Sequence, residues 1–251
     1  MIHLFTDFGL DGPYIGHVKA VLHRAAPGVP VIDLCADAPA FDPRAASYLL
    51  AAYDTECAAG DIIVAVVDPG VGGARAAVAL EIDGKWYVGP ANGIFEAAIA
   101  QADGPVRCWE ITWRPDGVSH SFHGRDIFAP VAALLATGVN PADEAADGDQ
   151  RFRPADAQRF DWPADLGEVI YVDHFGNLIT GLRAAHFPPD GGLVVGGERL
   201  PRRRTFSDVS YGEAFCYENA NGLMEIAVNA GRADAYFGLA VGAVIGVHEG
   251  K

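Results

Sequence analysis

The stretch "FHGRDIFAP", residues 122–130, carries a histidine, an arginine and an aspartate within four positions, where a loop turns into an apolar helical run. An imidazole that titrates near neutral pH can take or orient the proton of a small nucleophile, and charged neighbours hold it in one tautomer. The same types also support a structural reading, with Asp126 capping the helix, Arg125 paired to an acid and His123 satisfied in its loop. A second carboxylate and guanidinium stand in "DPGVGGAR", residues 68–75, where Pro69 and the glycines shape a wide turn from which Asp68 and Arg75 can face one cavity. Further acids leave apolar runs: Asp7 and then Asp11 in "LFTDFGLDG", and Asp173 in "YVDHFGN". Singly, each reads as a turn-capping aspartate. Together they mark the strand ends at which an α/β sheet holds its ligand.

Several chemistries lack their patterns. No GxxxxGK[ST] and no strand-to-helix GxGxxG is present, so a phosphate loop is not expected, and without GxSxG neither is a serine hydrolase elbow. Asp7, Asp11, Asp68, His17 and His123 leave a metal site assembled by folding as an alternative, although no HExxH or similar short spacing occurs. Cys35, Cys57, Cys108 and Cys216 are scattered without CxxC spacing and read as buried free thiols.

The elements that position these residues follow from patterning. Through about residue 137, β-branched runs ("IHLFTDF", "VPVIDLCA", "DIIVAVVDPG") alternate with alanine-rich amphipathic stretches at 13–26 and 43–59, which predicts βαβ units around a largely parallel sheet. Asp83-Gly84 splits "AAVALEIDGKWYVGP" into a hairpin. "NGIFEAAIAQA" reads as a helix with Asn92 near its cap, and "DIFAPVAALLATG" as one ended by Gly138. Residues 138–165, rich in proline and acid, read as a linker or meandering connection. The remainder reads as short strands with glycine and asparagine turns, a small barrel or sandwich, with one or two helical turns in "GRADAYFGLAVG". The expected division is an N-terminal α/β domain over 1–160, including the acidic connection, and a β-barrel domain over 161–251.

With 251 residues, half apolar, the chain can bury a sizeable core. Eighteen basic against 33 acidic residues give a net charge of −15, which disfavours nucleic acid and anionic membranes and favours a cationic or zwitterionic ligand. No apolar run reaches membrane-spanning length and the N-terminus lacks a signal-peptide pattern, so a cytoplasmic location is expected.

Six motifs in order, "TDFG" at 6–9, "VVDPGVGGAR" at 66–75, "GPANG" at 89–93, "SFHGRDIFAP" at 121–130, "DHFGN" at 173–177 and "NANGLMEIAVN" at 219–229, resemble the S-adenosylmethionine hydrolases, also called SAM hydroxide adenosyltransferases, relatives of the bacterial fluorinase and chlorinase. The resemblance covers nearly the whole chain. It implies an α/β domain, a smaller β-barrel and a homotrimer with active sites between one subunit's N-terminal domain and the next subunit's C-terminal domain. It implies no cofactor and no metal. The roles of positioning a water fall on Asp68, Arg75 and His123; that of gripping the ribose hydroxyls on Asp7; that of meeting the methionine ammonium on Asp173; and that of reading the adenine edge on Asn177. Phe41, Phe122 and Phe206 fall where the family places rings around the nucleoside, with a core role the alternative for each. Glu225 and the backbone near Ala220 and Val228 are expected at the adenine.

The halogenating relatives have tyrosines at positions 68 and 123 and a halide-contacting serine at Gly124, so this chain carries the hydrolase set. Ala220 and Asn221 replace a Ser-Arg pair that holds the methionine carboxylate in the halogenases, and "GLDGPY" moves an acid back to Asp11. The implied reaction converts S-adenosyl-L-methionine to adenosine and L-methionine by in-line attack of water or hydroxide at the ribose C5′. A non-catalytic adenosine or S-adenosylmethionine sensor and a metal-dependent nucleoside hydrolase are the alternatives.

Overall fold

The first strand, β1 (Ile2–Thr6), buries all five of its side chains, the pattern of a strand covered on both faces. The computed structural model describes residues 1–147, 151–248 and 250, and the chain divides into two compact units, Met1–Asp161 and Trp162–Lys251. In unit 1, β1 leads through a loop into α1 (Tyr14–Ala25), whose Ile15, Val18 and Leu22 recur at helical spacing on the buried face. β2 (Val31–Cys35) follows, then α2 (Pro43–Tyr53), begun by Asp42, whose carboxylate accepts the Ala45 N–H, with Pro43 in the first turn. β3 (Ile62–Val66) is again buried throughout. β4 (Ala77–Ile82) and β5 (Lys85–Pro90) form the predicted hairpin, with φ of 48° at Asp83 and 77° at Gly84, the left-handed pair such a tight turn needs. α3 (Glu96–Ala100), β6 (Arg107–Ile111), α4 (Ala129–Ala136), α5 (Pro141–Asp147) and β7 (Phe152–Ala155) complete the unit, with a π-helical turn at Gly124–Phe128 running into α4.

The seven strands lie in the order β2-β1-β3-β5-β4-β6-β7. β2, β1, β3 and β5 pair in parallel; β4 is antiparallel to β5 and β6, and β7 antiparallel to β6. Only β4 and β7 therefore oppose the common direction. On one face Ile2, Leu4, Val64 and Val88 pack with Val18 and Leu22 of α1 and Val131 and Leu135 of α4. From β1 the chain steps to β2 on one side and then to β3 on the other, so a topological switch point lies between β1 and β3, where an α/β sheet opens a crevice at its carboxyl edge.

Two local expectations change. Asn92 does not cap α3, whose N-cap is Phe95; its amide instead donates to the Val67 carbonyl and its oxygen accepts the Ile94 N–H, tying that loop to the end of β3. The acidic stretch 138–165 is more than a connection, since it supplies α5 and the edge strand β7. Within β7 only Phe152 is buried, so no apolar period announces the strand.

Unit 2 is built of β8 (Leu166–Val172), β9 (Leu178–Arg183), β10 (Gly192–Val195), β11 (Glu198–Arg199), β12 (Ala214–Glu218), β13 (Leu223–Val228), the short helix α6 (Ala233–Phe237) and β14 (Gly246–His248). They form two antiparallel sheets, β12-β13-β9-β8 and β11-β10-β14, over one core of Val169, Leu178, Leu193, Met224, Ile226 and Ile245. Single bridges, Glu168 to Val244 and Arg202 to Cys216, join the edges at both seams. The expected barrel is thus two sheets stitched at their margins, not one continuous ladder. Among the described residues no helix is long and apolar enough to cross a membrane.

Candidate active site

Parallel pairing of β1 with β3 sets Thr6 beside Val66, so the residues that leave these strands, Asp7 and Asp68, emerge side by side at the switch point. The Asp7 N–H still reaches the Val66 carbonyl at 3.4 Å. A cavity of about 510 Å³ opens there, within the range of small-molecule sites. Asp7, Asp68 and His123 face it, together with Phe8, Tyr14, Phe41 and Phe122. Burial pushes the Asp7 carboxyl up, and the Asp68 charge adds to this, against the stabilising N–H of Phe41. That N–H donates to Asp7 Oδ2 at 3.2 Å. It does so from a left-handed backbone, φ 61° at Phe41, which leaves the ring 78% exposed at the mouth of the cavity.

Arg75 binds the two loops together. Its Nε donates to both Asp68 oxygens at 3.0 Å, its Nη2 donates to Asp68 Oδ2, and Nη2 also lies 2.9 Å from His123 Nδ1. A guanidinium has donors only, so Nδ1 must be the acceptor, and the neutral imidazole carries its proton on Nε2. Burial and the Arg75 charge both hold His123 below its ordinary pKa, favouring that neutral form. Arg75 stands behind Asp68 and His123, its guanidinium 5.4 Å from the ring centre of the fully buried Phe128. The Gly72 backbone, at φ 78°, packs against the His120 carbonyl, so close that a Cβ there would lie 2.4 Å from the oxygen. This approach keeps the 66–75 and 117–124 segments together.

The π-helical turn places His123 at its start. Asp126 is not a helix cap. It accepts the Ser119 N–H at 2.9 Å and pairs with Arg125, closing the loop on itself. Arg125 stacks over Phe122 at 5.0 Å, and Phe122 meets Phe8 and Tyr14 edge-on at 5.8 and 5.3 Å. Phe8 and Tyr14 were not singled out from sequence; the available signal was the place of Phe8 directly after Asp7 and of Tyr14 at the first position of the helix that follows the same loop. Phe8 also presses on Gly124, where a Cβ would lie 2.9 Å from its ring. Asp11 and His17 are exposed, and among the described residues no three His, Cys, Asp or Glu side chains gather as a metal-ligand set.

Unit 2 gathers a second group of the expected residues. Asp173 accepts the Asn177 N–H at 2.8 Å and its side-chain amide at 2.9 Å. Glu225, 4% exposed, accepts from the Tyr217 hydroxyl at 2.5 Å and the Asn219 amide at 3.0 Å. Burial raises its carboxyl, and the Asp173 charge acts in the same sense. Phe206 meets Phe215 and Tyr217 edge-on at 5.1 and 5.5 Å. Tyr217 and Asn219 went unrecognised in the sequence; the period-two spacing 217, 219 across the hairpin from Glu225 could have found them. Ala220 and Val228 are not brought together. Ala220 is exposed in the β12–β13 turn, whereas Val228 is buried at the far end of β13, about 17 Å along the strand from Leu223.

Fold and cavity define a two-unit α/β protein with an acidic, aromatic-walled small-molecule cleft at the switch point of its sheet. Residues 2–145 match the model of the SAM hydroxide adenosyltransferase N-terminal domain and 167–246 that of the C-terminal domain. The chain belongs to this family. It is 41% identical to the "(R)-S-adenosyl-L-methionine hydrolase" of Thermus thermophilus over 96% of both chains, and 37% identical to the protein of that name from Salinispora tropica, over 96% of this chain and 95% of the relative. Two crystal structures of conserved proteins superpose over 98% of this chain and 99% of their own: one from Thermotoga maritima (TM-score 0.84, 29% identity) and one from Thermus thermophilus (TM-score 0.76, 39% identity).

Proposed function

We propose that the protein hydrolyses S-adenosyl-L-methionine to adenosine and L-methionine, in the (R) form for which its relatives are named. The observation that carries this reading is the Asp68–Arg75–His123 chain of hydrogen bonds beside a nucleoside-sized cleft. With Nδ1 engaged by Arg75, His123 offers an Nε2–H donor to the nucleophile oxygen and is no free base. The nucleophile is therefore hydroxide, formed by loss of a proton to solvent and held between His123 and Asp68. As its oxygen bonds to C5′, the C5′–S bond breaks and sulfur keeps the electron pair, leaving as a neutral thioether that needs no proton. Alignment is the main catalytic contribution, worth several kcal/mol at about 3–3.5 Å approach. Asp7 holds the ribose hydroxyls, Phe41 and Phe122 flank the nucleoside, and Arg75 acts by positioning.

We further propose a homotrimer, following the family resemblance, in which Asp173, Asn177, Phe206 and Glu225 serve the cleft of a neighbouring copy. A cytoplasmic location accords with four free, buried cysteines. Incubation with S-adenosyl-L-methionine and chromatography of the products tests the reaction: adenosine and methionine in equal amounts are expected, insensitive to a chelator. Substrate returned unchanged identifies a sensor instead.

A further inference from the structure

The net charge of −15 predicts that each cation finds an acid, and Arg75, Arg107, Arg125, Arg153, Arg159, Arg183 and Arg232 each sit against a carboxylate. The run "RLPRRR" at 199–204 departs from this pattern. Arg202 is anchored, donating to the Pro188 carbonyl at 3.1 Å and lying 3.7 Å from Glu218. Arg203 and Arg204 are exposed, and among the described residues neither guanidinium pairs with a carboxylate. Arg203 Nη1 donates to the Arg202 carbonyl at 3.0 Å, and Asp208 accepts the backbone N–H of Arg204, not its guanidinium. The backbone beneath is fixed, since the Arg203 N–H donates to the Cys216 carbonyl of β12 at 2.9 Å.

All three arginines line a groove of about 590 Å³ in unit 2, walled on its apolar side by Ala184, Phe187 and Pro189, and two carboxylates share it: Glu218 beside Arg202, and Asp208 engaged by the Arg204 backbone N–H. Adjacent unpaired cations repel, and an anion lying across them relieves that repulsion. We propose that this groove binds an organic phosphate of nucleotide size. Guanidinium forks match phosphate oxygens in pairs, the volume suits a small molecule, and the apolar wall receives the organic body. The site shares no residue with the cleft of unit 1, so it stands whether or not the hydrolysis reading does.

The test is calorimetric titration of the full protein with inorganic pyrophosphate and with adenosine 5′-diphosphate, in low and in 0.2 M salt. Both ligands are expected to bind, the nucleotide more tightly, with affinity falling as salt rises. Arg203→Gln with Arg204→Gln weakens each at least tenfold and Arg204→Gln alone weakens them less, while adenosine binding and S-adenosylmethionine turnover stay unchanged. The proposal is overturned by absence of pyrophosphate binding or by phosphate binding indifferent to these substitutions. It is equally overturned if they alter only the oligomeric state, which assigns the groove to an acidic face of a second copy.

Discussion

Arg75→Lys keeps the positive charge but removes the fork. Lysine's single ammonium can stay with Asp68, yet it cannot also span to His123 as Nη2 does at 2.9 Å. One charge-assisted hydrogen bond is lost from the group that fixes the imidazole, worth about 1.5–3 kcal/mol. If all of it acts in the transition state, kcat falls roughly 10- to 150-fold. Because Asp68 and His123 line the cleft and Arg75 stands behind them, KM should move less than about threefold. Initial rates of adenosine release, measured by chromatography across substrate concentrations and pH, separate the two parameters. Burial and the retained positive charge still hold His123 low, so the acid limb of the rate profile should stay close to its wild-type position. A variant with wild-type kcat refutes the positioning role, and a raised KM at unchanged kcat makes Arg75 a binding group.

Three other outcomes follow from the same geometry. Gly72→Ala meets the His120 carbonyl at 2.4 Å from a positive φ; left-handed alanine and overpacking together cost roughly 2–5 kcal/mol, read from urea midpoints, and kcat falls with it because this turn carries Asp68 and Arg75. His123 is held below its unfolded pKa, near 6.5, so the unfolded state binds more protons in this range; activity should decline as pH drops below 6.5, and this group's share of stability should fall in the same direction in thermal melts. Glu225→Leu leaves the Tyr217 hydroxyl and Asn219 amide without their acceptor, a loss of about 1–3 kcal/mol in denaturant titration.

Much of this arrangement was legible in the chain itself. Continuous buried runs such as Ile2–Thr6 and Ile62–Val66 announce parallel strands, and once those strands are neighbours the acids that follow must meet. Asp83-Gly84 declared its hairpin through turn chemistry alone. What sequence concealed depends on long-range geometry. β7 has one buried side chain and is a strand only because β6 offers it an edge. Asn92 has the chemistry of a cap but spends its amide on Val67, 25 residues away. The histidine's tautomer was equally hidden, because it follows from a contact across 48 residues with Arg75. The same contact turns the choice between a histidine base and an oriented hydroxide into a structural question.

Turnover of S-adenosyl-L-methionine in ¹⁸O-enriched water, with both products analysed by mass spectrometry, addresses the proposed chemistry most directly. Attack at C5′ puts one labelled oxygen in the 5′-hydroxyl of adenosine and none in methionine. Label in an amino-acid product, accompanied by methylthioadenosine, contradicts the account by placing the attack on the other side of the sulfur.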